Sequence, residues 1–206
     1  MRDPDFSTYL YKAMGVARPL RQTQPDKNYW YQFLDNSQTG YIEYRVCGND
    51  PKLSFQEFAQ ATLADLDKHN VSRVVIDLRE NEGGHSKVIQ PLIQGLKRRH
   101  QWKGHLFALI GPKTFSSAMM NAIELKMDAG AILVGEATGG KPDSYGEVDL
   151  LTLPNSKLVV GYTIKYFRAP KSMRMDAVYP DIPAALTIDD VLAGRDSGLA
   201  GATSAN

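Results

Sequence analysis

A serine in TFSSAMMNA (residues 114–122) and a lysine in VGEATGGKP (residues 134–142) stand 141 − 117 = 24 positions apart, counted from Ser117 to Lys141. A hydroxyl becomes a nucleophile when a neighbouring group takes its proton, and an amine can do so only when uncharged. Burial against apolar neighbours favours that uncharged form. Gly139 and Gly140 let the chain fold closely around the amine, and Pro142 stiffens the exit. The pair points to a serine–lysine hydrolase. Ser116 is the runner-up nucleophile, since a one-residue shift in the turn exchanges the two serines. Either serine also suits the start of a helix, where it would cap and where a nucleophile gains from the positive end of the dipole.

Gly83 and Gly84 close VVIDLRENEGG (residues 74–84). Glycines after a strand serve a turn with positive φ, and one of them can aim its N–H at a substrate carbonyl. Asp77 and Arg79 read as an ion pair that holds this loop. His85 reads as a bystander, since a lysine already fills the role of base. The four histidines and the single cysteine have no metal-ligand spacing, so neither a metal nor another cofactor is expected. VGEATGG lacks the GK[ST] ending of a phosphate loop. Cys47, in YIEYRVC, reads as a small core residue and allows no internal disulfide.

The elements that must position these residues follow from periodicity. YWYQFLD and YIEYRV, separated by NSQTG, read as a β-hairpin. SFQEFAQATLADLDKHN carries a capping box, Ser54 with Glu57, and an apolar stripe at helical spacing. Strand VVID, helix KVIQPLIQGLKRRH, strand LFALIG, a helix from about 117 to 128 and strand AILVG then alternate. That rhythm argues for a mostly parallel sheet with crossover helices. VDLLTLP and KLVVGYTIKYF form a second hairpin, and TIDDVLAG a short capped helix. Residues 1–27 read as an arm or the remnant of an upstream segment, 28–193 as the working domain, and 194–206 as a flexible tail.

The chain has 206 residues, 43% hydrophobic and 23% charged, enough for one large domain with a substantial core. A net charge of +1 gives no overall field for nucleic acid or an anionic membrane. MRDPDFSTYLYKAMG has no long apolar run, so it reads neither as a signal peptide nor as a membrane span.

Four pieces in order, VVIDLRENEGG, KTFSSAMMNA, ILVGEATGGKP and YPDIP, together resemble the catalytic core of the S41 serine peptidases, the C-terminal processing or tail-specific proteases. The resemblance covers about residues 29–190 and is to a stand-alone branch without a PDZ domain. It implies an α/β fold like the ClpP/crotonase superfamily, a twisted, mostly parallel sheet with crossover helices plus β-hairpins. It matches Ser117 to the nucleophile and Lys141 to the general base. Gly84 and Ala118 match the oxyanion hole, and Asp128 an accessory acid. The implied partner is a peptide or unfolded-protein substrate. Met120 and Tyr145 stand where many members carry glutamate and glutamine. The alternative is therefore a weak or inactive module that binds a peptide or hydrophobic ligand on the same fold. Crotonase-type acyl-thioester chemistry ranks third, for want of a CoA-binding signature.

Overall fold

A computed structural model of the protein describes residues 11–34 and 38–205. Of the expected N-terminal arm, residues 1–10 lie outside the described residues, as do residues 35–37 around the first hairpin turn. Residues 11–14 are helical, and Leu20–Gln22 form one 3-10 turn.

Six strands make the main sheet, in the order β1 (Tyr29–Leu34), β2 (Thr39–Tyr44), β3 (Arg73–Asp77), β4 (Leu106–Ile110), β5 (Ile132–Gly135) and β8 (Ile182–Pro183). β1 and β2 are the antiparallel hairpin; every other neighbouring pair is parallel. The parallel strands are almost continuously apolar because both faces of the sheet are covered. Val74, Ile76, Leu106, Ala108 and Ile110 face a larger core with α1 (Phe55–Lys68), α2 (Gln90–Lys97) and α3 (Ser117–Ala129). Val75, Phe107, Leu109 and Val134 face the other side.

Local chemistry sets the helix ends as the sequence implied. Ser54 accepts the Glu57 N–H, and the Glu57 carboxylate accepts the Ser54 N–H. Pro91 sits in the first turn of α2, where a missing N–H costs nothing. Thr187 caps α4 (Ile188–Leu192) in the same reciprocal way through Asp190. β6 (Ser144–Thr152) and β7 (Val159–Phe167) form a separate two-stranded ribbon.

The chain's end differs from the expected flexible tail. Ser197–Ser204 form α5, which packs on the second face of the sheet with Ala202 fully buried. Small residues allow the close approach: a Cβ on Gly201 would stand 3.3 Å from the Val134 side chain. Asp196 caps α5 by accepting the Leu199 N–H at 3.0 Å. It also accepts Arg79 Nη1 at 2.6 Å and Arg21 Nη1 at 2.9 Å. Arg79 in turn donates Nε to Asp77 at 3.0 Å, so the end of β3 and the last helix share one ion cluster.

Candidate active site

The loop after β4 turns sharply into α3. Ser116 has φ 52° and ψ −122°, and the Ala118 N–H donates to the Phe115 carbonyl at 3.0 Å. Those values describe the second residue of a type II′ turn, a place glycine normally takes. Ser116 makes no capping bond, so its hydroxyl is not serving the helix. Thr114 anchors the turn from below: its buried hydroxyl donates to Leu78 O at 2.9 Å and accepts the Gly111 N–H at 3.0 Å.

The loop after β3 lies directly against that turn. Gly83 and Gly84 have φ of 113° and 133°, which L side chains rarely adopt. A Cβ on Gly83 would stand 2.9 Å from Ser116 Cβ and 3.1 Å from Ser117 N. A Cβ on Gly84 would run into the Cys47 carbonyl oxygen. That carbonyl accepts the His85 N–H, while the Cys47 N–H donates to Gly83 O at 3.0 Å. Among the described residues, the N–H groups of Gly84 and Ser117 have no acceptor.

Asn81 ties the two loops together from a fully buried position. Its Oδ1 accepts the Gly83 N–H at 2.9 Å, and its Nδ2 donates to Tyr44 O at 2.7 Å. Its backbone carbonyl accepts the Phe115 N–H at 3.1 Å. The Cys47 thiol touches Asn81 Oδ1 at 3.5 Å and Asn121 Oδ1 at 3.3 Å. Burial pushes that thiol up to about 11, which suits a core residue and not a nucleophile. The sequence signal of Asn81 is its place two residues before the glycine pair, which motif spacing alone does not distinguish from that of an ordinary loop residue.

Lys141 comes to the serines because its glycines permit contact. A Cβ on Gly139 would collide with Pro112 O, and one on Gly140 would stand 2.9 Å from the Phe115 ring. Ser116, Ser117 and Lys141 line one cleft of about 260 Å³ with Phe115, Met120 and Phe167. The base of the β6–β7 ribbon forms its far wall.

The structure thus gathers Ser116, Ser117, Lys141 and Gly84, but not on the terms expected. The Ser117 hydroxyl donates to Gly84 O at 2.6 Å. Lys141 is exposed at the cleft and not desolvated within its turn. Two expectations need correction. The Ala118 N–H is already spent inside the II′ turn, so it is not open to an oxyanion. Asp128 is exposed near the far end of α3, about 16 Å along the axis from Ser117, and does not line the cleft. His85 lies outside the cleft lining as well; its Nδ1 accepts the Lys87 N–H at 3.3 Å.

The family model for peptidase family S41 matches residues 87–184, a stretch that holds both serines and Lys141 but begins after Gly84. Among solved structures, a Parabacteroides merdae protein provisionally assigned as a peptidase superposes with a TM-score of 0.61 at 16% identity. It covers 94% of this chain and 67% of that one. The photosystem II D1 C-terminal processing protease gives 0.56 at 16% identity, covering 86% and 52%. Mature CPAF complexed with lactacystin gives 0.58 at 12%, covering 93% and 57%. The chain therefore spans about two thirds of the first and little more than half of the other two. No curated protein matches it. Likenesses at these identities establish the fold, which is ClpP-like. Residues 87–184, a little under half of the chain, match the S41 peptidase model, and the chain carries that segment on this fold.

Proposed function

We propose that the protein is a serine peptidase that uses Ser116 as nucleophile, Lys141 as general base, and the N–H groups of Gly84 and Ser117 as oxyanion hole. The observation that carries this reading is the turn at Ser116. A non-glycine residue in a conformation that costs about 1–3 kcal/mol marks a position held for function. Sharp strand-to-helix turns of this kind expose a nucleophilic serine elsewhere. The neighbouring Ser117 hydroxyl is committed to Gly84 O, which makes it a brace between the loops and leaves the attack to Ser116.

In this reading Ser116 Oγ attacks the peptide carbonyl and Lys141 Nζ takes its proton. The developing oxyanion takes the two open N–H groups, each worth about 3 kcal/mol in such a site. Lys141 then returns the proton to the leaving amine, and water hydrolyses the acyl-enzyme. A peptide in the cleft shields the amine from water, the condition under which an amine serves as base. The wall residues Phe115, Met120 and Phe167 suit an apolar side chain beside the scissile bond.

A fluorophosphonate probe and turnover of an unfolded protein test the proposal. Ser116→Ala and Lys141→Ala are expected to abolish labelling and turnover, while Ser117→Ala loses about 10-fold through a looser loop. Loss in Ser117→Ala with labelling retained in Ser116→Ala would return the role to Ser117. The exposure of Lys141 favours one rival, a peptide-binding module without catalysis. Absence of labelling in the wild type, with peptide binding retained, would establish that rival instead.

A further inference from the structure

The β6–β7 ribbon is a sheet of two strands only, and neither strand has a second neighbour among the described residues. Such ribbons are marginal in water unless something packs on them. Residues opposed in the ladder share a face. The pairs Tyr145–Tyr166 and Leu151–Val160, with Tyr162 opposite Asp149 and Ile164 between the tyrosines, therefore define one face. These six apolar side chains are 43–69% exposed. The opposite face, through Val148, Thr163 and Phe167, lines the cleft, and Tyr145 also reaches the cleft rim.

We propose that the tyrosine-bearing face of this ribbon is the contact between two copies of the chain, the ribbons stacking face to face across a two-fold axis. With aromatic side chains burying about 150–250 Å² each, six half-exposed groups offer on the order of 500 Å² of apolar surface. A standard interface buries about 800 Å² per partner, of which about 57% is apolar, or about 450 Å². One ribbon face thus meets the requirement of a dimer.

The chemistry of the face suits a second copy. Asp149, opposite Tyr162, accepts a hydrogen bond from its hydroxyl at 3.4 Å, which satisfies one carboxylate oxygen and leaves the charge at the margin of the apolar side chains. Glu147 is engaged by Lys165 at 3.0 Å. A net charge of +1 leaves little repulsion between copies. A two-fold contact needs only that the face match itself, and an apolar face does so. Two stacked ribbons would lie about 10 Å apart, the usual sheet-on-sheet spacing.

Sedimentation equilibrium of the 22.8 kDa chain tests this directly. The wild type is expected to dimerise at micromolar concentration. Val160→Lys combined with Ile164→Lys should weaken the dimer at least about 100-fold by burying unpaired charge, with an unchanged far-ultraviolet dichroism spectrum. Leu150→Lys, on the opposite face, should leave the dimer intact. A wild type that stays monomeric at about 100 µM overturns the proposal, whether another segment or a different partner covers the face. A double variant that still dimerises overturns it equally, and loss of the dimer in Leu150→Lys alone would assign the wrong face.

Discussion

Position 116 keeps a serine where glycine would fit without strain, and that trade is measurable. Replacing Ser116 by glycine removes the hydroxyl and relieves a φ of 52°. The expected outcome is an inactive protein that is more stable by about 1 kcal/mol. For a chain of this length that is a rise of about 2–4 °C in the thermal midpoint, readable by calorimetry. A lower midpoint would mean the turn is not strained and would remove its value as a functional marker. Asn81 offers the complementary test, because it reaches both loops without lining the cleft. Asn81→Ala is expected to destabilise the fold by about 1–3 kcal/mol through unpaired buried groups. Its kcat for peptide cleavage should fall about 10- to 100-fold with KM nearly unchanged, since the substrate still meets the same walls. A change in KM alone would assign Asn81 to binding. The turn at Ser116 was not legible in the residues themselves, and Asn81 was marked only by its place two residues before the glycine pair. A serine in a glycine conformation looks like any other serine, so the resemblance matched Ser117 with Ser116 as runner-up, and the backbone turn that distinguishes the two leaves no mark in the sequence.

Among the elements, those whose stabilising contacts are local or periodic were legible, and one that depends on a distant surface was not. The parallel strands appear as apolar runs because both faces are covered, and the Ser54 and Thr187 boxes announce their helices within four residues. Apart from Leu199, α5 is built of small residues behind Asp196, so it has no apolar stripe and reads as a frayed end. Its place is set by close packing against Val134 and by the Arg79–Asp196–Arg21 cluster. Burial pushes the Asp196 carboxyl up, but the Arg79 hydrogen bond and charge outweigh that and hold it below the ordinary value of 3.8. A depressed carboxyl contributes stability above its unfolded value, and the contribution is lost as pH falls through the folded one. Asp196→Asn is therefore expected to cost about 2 kcal/mol at pH 7, since both partners are largely buried while Arg79 keeps Asp77. The gap between variant and wild type should close as pH drops below about 4. Urea titrations at pH 7 and pH 3 would show it, and a gap that does not narrow would mean that packing, not charge, holds α5.

For the molecule as a whole, the pH dependence of stability turns on the other half of the same cluster, inside the sheet. Glu43 and Asp77 are directly opposed on β2 and β3, and both side chains are fully buried. The Tyr41 phenol contacts both, Asp77 at 2.8 Å and Glu43 through a short hydrogen bond. One phenol proton can serve only one of two carboxylates. Burial first, then the charge of Asp77, raises the Glu43 carboxyl well above its ordinary 4.5. Its Oε1 has no hydrogen-bond partner among the described residues, which a neutral acid tolerates far better than an anion. A proton on Glu43 then completes a chain in which Glu43 donates to Tyr41, Tyr41 to Asp77, and Asp77 accepts Arg79. The sign is opposite to that of Asp196. A carboxyl raised by folding gives its full contribution below the unfolded value and loses it as pH rises toward the folded one. The wild type is thus expected to lose stability steadily above pH 4.5, while the acid side is governed by Asp196. Glu43→Gln keeps a donor and the shape but cannot ionise, so it should flatten the alkaline limb and exceed the wild type there. Unfolding free energies at intervals from pH 5 to pH 9 decide the matter. Equal slopes in the two proteins would show that the buried pair does not hold its proton, and the sheet would then carry two charges that Arg79 and Arg45 must balance alone.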